Sequence, residues 1–323
     1  PNTLFPYTTL FRSLSPMSNE RTDLTADQLE LLQLLIQEES ESAEASTDAS
    51  LPESIIELAP GSGGTPLFCV GAFHFRKLAA ALELDTPIYG LLGQNLDADY
   101  SYMNRVEEMA ERYVADIRSV YPSGPYRLAG FCFGGLVAYE MVKQFQELGA
   151  SVEHLILLDT MNPQTERLFY DPDATESVME KMERHRKLLA EDGLQHVSNW
   201  VKDRFRYTVG QTAHASRKAI ARAYEIAGQD IPTEYRGALT LDGNAAATWE
   251  YKPTPLHVST LLVRSAALLE KEDIDPARFP SSGWGDLITP TLTIRDTPGY
   301  HNHMIDEKHA PKVAEWIRDF IGV

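Results

Sequence analysis

The chain has 323 residues, of which 43% are hydrophobic and 24% are charged, and this is enough apolar material for a folded core. Its formal net charge of −18 would repel phosphate backbones and anionic lipid head groups, so we expect no nucleic-acid or membrane partner. Two cysteines are too few for a disulfide framework and indicate a reducing compartment. The sequence has no apolar run of about 18 residues and no legible secretory signal, which predicts a cytoplasmic protein.

The first 52 residues are set apart from the main domain. Residues 1–16 include TLFPYTTLFRS, which resembles the translation of a sequencing-library adapter, and we exclude them from the fold as an artefact. Residues 17–52 begin with a predicted amphipathic helix, capped by Thr25 and Gln28, and continue into an acidic linker rich in serine and alanine. This helix is interpreted equally well as a docking element or as a helix that packs on a missing upstream domain.

Residues 53–323 carry the pattern of one α/β domain. The apolar runs SIIEL, PLFCV, PIYGLL, YRLAG and VEHLILLD predict strands, and helical spacing fills the segments between the later ones. This alternation predicts a mainly parallel central sheet flanked by helices on both faces. Residues 161–250 interrupt the alternation with polar helical patterns before strands resume at VSTLLVRS and PTLTIRD, so we predict that this block is a helical lid insertion.

The pentapeptide Gly-Phe-Cys-Phe-Gly at 130–134 lies between a predicted strand and a predicted helix. A nucleophile on such a turn has a strained backbone, so the residues two positions away from it must lack side chains. Gly130 and Gly134 meet this requirement, and Gly135 lets the helix pack closely on the sheet. The helix N-terminus favours a thiolate at Cys132, which is the predicted nucleophile. The alternative is a buried structural cysteine in a tight turn.

An acid and a base follow in the chain order of such enzymes. Asp159 ends the strand after the nucleophile's helix, at the carboxyl edge where the sites of parallel sheets form. It is the predicted acid, with Asp296 as the alternative. His301 follows the last predicted strand and is the predicted base, with His303 as its rival. Because neither metal-ligand spacing nor a phosphate loop is present, we expect no metal and no cofactor of the chain's own.

Residues from about 55 to 320 resemble the terminal thioesterase domain of polyketide synthases and nonribosomal peptide synthetases. YPSGPYRLAGFCFGGLVAYEM matches that family's strand–elbow–helix signature, ILLDT its acid segment and PGYHNHM its Gly-x-His-x-x-Met segment. The resemblance implies an α/β-hydrolase fold, with the acid at Asp159 and the base at His301. It also implies that the substrate is an acyl thioester carried on the phosphopantetheine arm of an acyl or peptidyl carrier protein.

Two departures from the family concern the reacting centre. The family usually has serine where this chain has Cys132, and a His-Pro-x-Gly-Gly-like loop where residues 71–74 read Gly-Ala-Phe-His. That loop usually supplies one oxyanion-hole N–H, so we assign the hole to the backbone N–H groups of Phe133 and Ala72. An acyl thioester on Cys132 would stay activated, which favours cyclisation or transfer over hydrolysis.

Three other functions are compatible with these patterns. A dienelactone-hydrolase-like enzyme carries a similar turn with a Cys–Asp–His triad, but it is compact and lacks a long lid. A stand-alone editing thioesterase would clear stalled carriers. A different class altogether is an inactive hydrolase fold that serves as a docking module.

Overall fold

The structure, a computed structural model, describes residues 51–93, 103–165, 214–265, 281–298 and 301–323. The adapter-like stretch, the predicted N-terminal helix and most of the acidic linker lie outside the described residues, as do residues 166–213 of the predicted lid. The strands are β1 (Ile55–Ala59), β2 (Leu67–Val70), β3 (Ile88–Leu91), β4 (Tyr126–Phe131), β5 (Val152–Leu158), β6 (Leu256–His257), β7 (Ser259–Ser265), β8 (Ile288–Thr289) and β9 (Leu292–Thr297). The helices are α1 (Ala72–Leu82), α2 (Val106–Val120), α3 (Phe133–Glu147), α4 (Thr233–Glu250) and α5 (Ala310–Ile321).

Seven of these strands form one sheet in the order β1-β3-β2-β4-β5-β7-β9. Strand β1 runs antiparallel to β3, and the other neighbouring pairs are parallel. Strands β6 and β8 form a separate parallel pair. The predicted α/β-hydrolase type of fold, with a mainly parallel sheet flanked by helices, is therefore confirmed. Because the parallel strands end at a common edge, the loops after β2, β4, β5, β7 and β9 meet there.

The central strands β2, β4, β5 and β7 are mostly buried on both faces, and their side chains alternate between two apolar layers. In β5, Leu155 and Leu157 belong to the layer that includes α2 and α3, whereas Ile156 and Leu158 belong to the layer that includes α1 and α5. All four side chains are inaccessible to solvent. Each such burial contributes about 1.5–3 kcal/mol, so both helical layers are held firmly against the sheet.

The connection from β5 to β7 includes the predicted lid. Its described portion is helical over residues 214–226 and in α4, as the sequence pattern predicts. Helix α4 packs against α2 and α3, which places it beside the helix that follows Cys132. That this block covers the site stays a prediction. No described helix is long and apolar enough to cross a membrane.

Candidate active site

Cys132 occupies the sharp turn between β4 and α3. Its backbone has φ 54° and ψ −121°, a conformation that L-residues rarely adopt and that the surroundings must enforce. The N–H of Cys132 donates to the Leu158 carbonyl at 2.8 Å. A Cβ on Gly130 would clash with the Gly134 backbone, and a Cβ on Gly134 would lie 2.7 Å from the Val70 carbonyl oxygen. Both glycines are therefore required by the close approach of backbone around the turn.

Thr160 ties this turn to the loop that follows β5. Its hydroxyl donates to the Cys132 carbonyl at 3.1 Å, and its own carbonyl accepts the indole N–H of Trp284 at 2.9 Å. A Cβ on Gly135 would collide with the Thr160 side chain. Helix α3 thus begins in direct contact with the residue next to Asp159, which brings two predicted site residues together.

Asp159 and His301 are joined by a short hydrogen bond. The ring Nδ1 of His301 lies 2.5 Å from Oδ2 of Asp159, although the two residues are 142 positions apart in the chain. Asp159 is almost fully buried, and the His301 side chain is 18% exposed. Because a buried carboxylate needs partners, this bond both orients the imidazole and stabilises its positive charge.

Cys132 is the second group that acts on the imidazole of His301. Burial acts to lower the pKa of His301, but the hydrogen bond and charge of Asp159 and the interaction with Cys132 outweigh it and raise this pKa to about 10. An imidazole placed beside a thiol and hydrogen-bonded to a carboxylate can serve as the base that takes the thiol proton. The geometry therefore suits covalent chemistry at sulphur.

The two rival residues are engaged elsewhere. His303 directs its Nδ1 to Asp306 at 3.3 Å. Asp296 accepts two hydrogen bonds from the guanidinium of Arg264, at 2.7 and 3.0 Å, and its side chain is 48% exposed. The sequence left Asp159 or Asp296 as the acid and His301 or His303 as the base. The structure brings Asp159 and His301 together.

An aromatic ring supports the imidazole from the side. The ring of Phe131, immediately before Cys132, stacks on that of His301 with centroids 4.7 Å apart. The ring of His74 also lies against Phe131, at 5.2 Å. Burial lowers the pKa of His74, the Gly71 carbonyl opposes that effect, and the charge of His301 lowers this pKa further. His74, in the first turn of α1, is thus an electrostatic neighbour of the site.

Ala72 and Phe133 are the first residues of α1 and α3. The N–H groups of the first helical turn have no acceptor within their own helix and remain available to an anion. The approach of the Val70 carbonyl to Gly134 shows that the end of β2, which leads into Ala72, lies against the elbow. Their assignment to an oxyanion hole stays a prediction.

Sequence reasoning missed the residue that holds the acid. Ser265, the last residue of β7, donates its backbone N–H to Oδ1 of Asp159 and its hydroxyl to Oδ2, both at 2.7 Å. Only its place at the carboxyl end of a strand could have drawn attention to it. Among the described residues, no group of three or more side chains is arranged to hold a metal ion.

The family model named Thioesterase domain matches residues 65–321. The chain belongs to this thioesterase family. It is 25% identical to microperfuranone synthase of Emericella nidulans over 261 residues, which are 78% of this chain and 27% of that protein. It is 36% identical to malpinin synthetase of Mortierella alpina over 111 residues, 33% of this chain and 1% of that protein. The thioesterase chain thus spans only a small part of these much longer relatives.

Solved structures agree with this assignment. The NocB thioesterase domain from the nocardicin cluster superposes with a TM-score of 0.54 at 25% identity, covering 84% of this chain and 100% of that one. A four-domain nonribosomal peptide synthetase gives 0.56 at 23% identity, covering 88% and 21%. The domain is therefore a thioesterase of the α/β-hydrolase type. The family match favours this class over a dienelactone-hydrolase-like enzyme.

Proposed function

We propose that this thioesterase releases a polyketide or peptide acyl chain from the phosphopantetheine thioester of a carrier protein, through an acyl-enzyme on Cys132. The observation that supports it most is the arrangement of three side chains: Asp159 is hydrogen-bonded to His301, and Cys132 is close enough to His301 to raise its pKa. Membership of the thioesterase family supports the choice of substrate class.

In the acylation step, the Cys132 thiolate attacks the carbonyl carbon of the carrier-bound thioester. The oxyanion of the tetrahedral intermediate accepts hydrogen bonds from the N–H groups of Phe133 and Ala72. When the intermediate collapses, the bond to the pantetheine sulphur breaks, and the imidazolium of His301 protonates that sulphur as it leaves. The products are the carrier thiol and an acyl thioester on Cys132.

In the release step, neutral His301 takes a proton from the attacking group, which is water or a hydroxyl or amine of the acyl chain itself. The second tetrahedral intermediate returns its electrons to Sγ of Cys132, which leaves as the thiolate and restores the ion pair with His301. Asp159 holds the ring in one orientation through both steps and stabilises the imidazolium.

We also propose that sulphur at position 132 favours cyclisation or transfer over hydrolysis. Exchange between two thioesters is nearly balanced in free energy, so the acyl group stays as reactive on Cys132 as it was on the carrier. Amines and well-placed hydroxyls attack thioesters more readily than the oxoesters that a serine would form.

Intact-protein mass spectrometry tests the covalent step. The enzyme is mixed with a panel of acyl pantetheine-mimic thioesters, beside the Cys132→Ala variant and a Cys69→Ala control. Cys69 is fully buried and burial raises its pKa, so it should stay unreactive. We expect an acyl adduct on the native protein and on Cys69→Ala, and none on Cys132→Ala. No adduct and no turnover across the panel would favour the inactive docking module.

The product ratio tests the role of sulphur. The native enzyme and Cys132→Ser are given one acyl thioester that carries an internal nucleophile, and the cyclic and hydrolysed products are quantified. We expect the hydrolysed share to rise in the serine variant. An unchanged ratio would contradict the proposed advantage of sulphur.

A further inference from the structure

Besides its bond to His301, the carboxylate of Asp159 accepts two hydrogen bonds from one residue of the neighbouring strand β7. Ser265 supplies a backbone N–H to Oδ1 and a hydroxyl to Oδ2. The Asp159 backbone N–H in turn donates to the Val263 carbonyl at 2.7 Å. The end of β7 therefore fixes both the main chain and the side chain of the acid, whose own φ of 50° lies in the left-handed region.

The hydroxyl of Ser265 and the ring of His301 share one oxygen. Oδ2 of Asp159 accepts from Ser265 Oγ at 2.7 Å and from His301 Nδ1 at 2.5 Å. A carboxylate oxygen has two lone-pair directions, so both are in use here. As long as Ser265 occupies one direction, the other points at His301.

Water is a poor substitute for the Ser265 hydroxyl. Ser265 has no exposed surface, and Asp159 is 6% exposed. When a buried donor is removed, its acceptor loses the contact without regaining hydration. Without this hydroxyl, the carboxylate would keep the backbone N–H on Oδ1 and His301 on Oδ2. Oδ2 would lose the second donor that fixes its direction toward the imidazole.

We propose that Ser265 is a positioning residue of the active site, which acts on His301 through Asp159 by fixing the orientation of Oδ2. The inference rests on the proposed function only for its effect on catalysis, because the orientation of Asp159 is a property of the free protein. Within the described part of the chain, the titratable groups that interact with His301 are Asp159, Cys132 and His74, and all three stay unchanged in the experiment below.

The test is a pH titration of the His301 ring in the native protein and in Ser265→Ala. NMR spectroscopy on protein labelled with ¹⁵N-histidine monitors the titration. His301→Gln identifies the His301 signals by their absence. In the native protein we expect a ring pKa near 10 and a strongly downfield Nδ1 proton. In Ser265→Ala we expect this pKa to fall by about one unit, equivalent to a tenfold weaker preference for the imidazolium, and the downfield proton to be broadened or lost.

Ser259→Ala is the matched control, because Ser259 is the first residue of β7 and lies at the opposite edge of the sheet. It should leave the titration of His301 unchanged. Ser265→Thr keeps the hydroxyl and should restore the native titration, and Ser265→Cys keeps the size with a weaker donor and should give an intermediate shift. If Ser265→Ala fails to fold, Ser265→Cys decides the matter in its place.

An unchanged or raised His301 pKa in a folded Ser265→Ala or Ser265→Cys protein would overturn the inference. Neither result depends on a substrate. The native enzyme could form no acyl adduct while the His301 titration still shifts in Ser265→Ala. That combination would contradict the proposed function but would support the role of Ser265.

Discussion

At the scale of single residues, the candidate site is organised around one imidazole. Nδ1 of His301 is hydrogen-bonded to Asp159, and the ring of Phe131 stacks on the imidazole. Cys132 also interacts with the imidazole and raises its pKa. These contacts leave the ring little freedom to rotate, and two of them favour its charged form. A base held in this way is positioned before substrate arrives, which reduces the reorganisation needed during reaction.

Replacement of the two neighbouring histidines should separate their roles. His301→Gln should lower kcat/KM for an acyl thioester by about 10³-fold or more, because a triad loses its function when any member is removed. His303→Gln should stay within about twofold, since His303 contacts the partly exposed Asp306. Steady-state kinetics on purified variants measures both values, and a large loss in His303→Gln would contradict the assignment.

The raised pKa of His301 also predicts a pH dependence of stability. The pKa in the folded state is about 10, above the ordinary value of 6.5. Protonated His301 therefore stabilises the fold fully below about pH 6.5, and this contribution is lost as the pH rises through about 10. The free energy of unfolding in urea, compared between the native protein and His301→Gln, should differ most at about pH 6.5 and below, and the difference should shrink as the pH rises through about 10. A difference that does not shrink would argue against the ion pair.

At the scale of elements, the elbow depends on how closely helix α3 approaches the loop after β5. The hydroxyl of Thr160 donates to the Cys132 carbonyl, and the Thr160 side chain fills the space that a Cβ on Gly135 would need. The same loop carries Asp159, so the start of α3 and the acid are held in one arrangement. Packing of this kind tolerates little added volume.

Gly135→Ala should therefore be damaging, whereas Gly237→Ala should not. The first change forces the new methyl group into Thr160 and should lower the free energy of unfolding by about 1–3 kcal/mol, with a loss of activity. Gly237 lies in α4 with open space around its Cα, so alanine there should stabilise by about 0.5–1 kcal/mol. Urea unfolding and thioester turnover measure the two effects, and equal behaviour of the variants would refute the close-packing argument.

At the scale of the whole molecule, the buried carboxylate of Glu140 links the end of α4 to helix α3, which packs on the sheet. Glu140 in α3 is 3% exposed and accepts the Tyr251 hydroxyl at 2.9 Å, together with Lys143 at 3.0 Å and Gln144 at 3.2 Å. Tyr251 directly follows α4, where the insertion turns back toward the sheet. The contact therefore anchors the return of the chain.

Tyr251→Phe should lower the free energy of unfolding by about 1–3 kcal/mol, because it leaves a buried carboxylate oxygen without this donor. Activity per folded molecule should remain close to native. Tyr224→Phe removes the same atom from a half-buried ring that stacks on Tyr235, and it serves as the control. Equal stability of the two variants would mean that the Glu140 contact contributes nothing measurable.

The sequence predicted those features that rest on local pattern. Apolar periodicity predicted the strands and helices, and the flanking glycines predicted the sharp turn at Cys132. The choice between His301 and His303 could not be made from spacing, since both lie on one short 3-10 turn and only three-dimensional contact separates them. Ser265 escaped notice because its bonds to Asp159 span 106 positions and depend on the parallel pairing of β5 with β7, for which a single serine carries no signal.

The pairing of β5 with β7 has a further consequence. These strands are hydrogen-bonded neighbours, yet about 100 residues separate them along the chain, while a parallel crossover needs only about a dozen. Because the entropy of closing a loop grows only with the logarithm of its length, the surplus costs about 2 kcal/mol. Evolution or a protein engineer can therefore lengthen, shorten or exchange this segment at small thermodynamic expense. Both of its ends stay anchored to the strands that bear Asp159 and Ser265, so the reactive centre can be inherited unchanged while the segment diversifies.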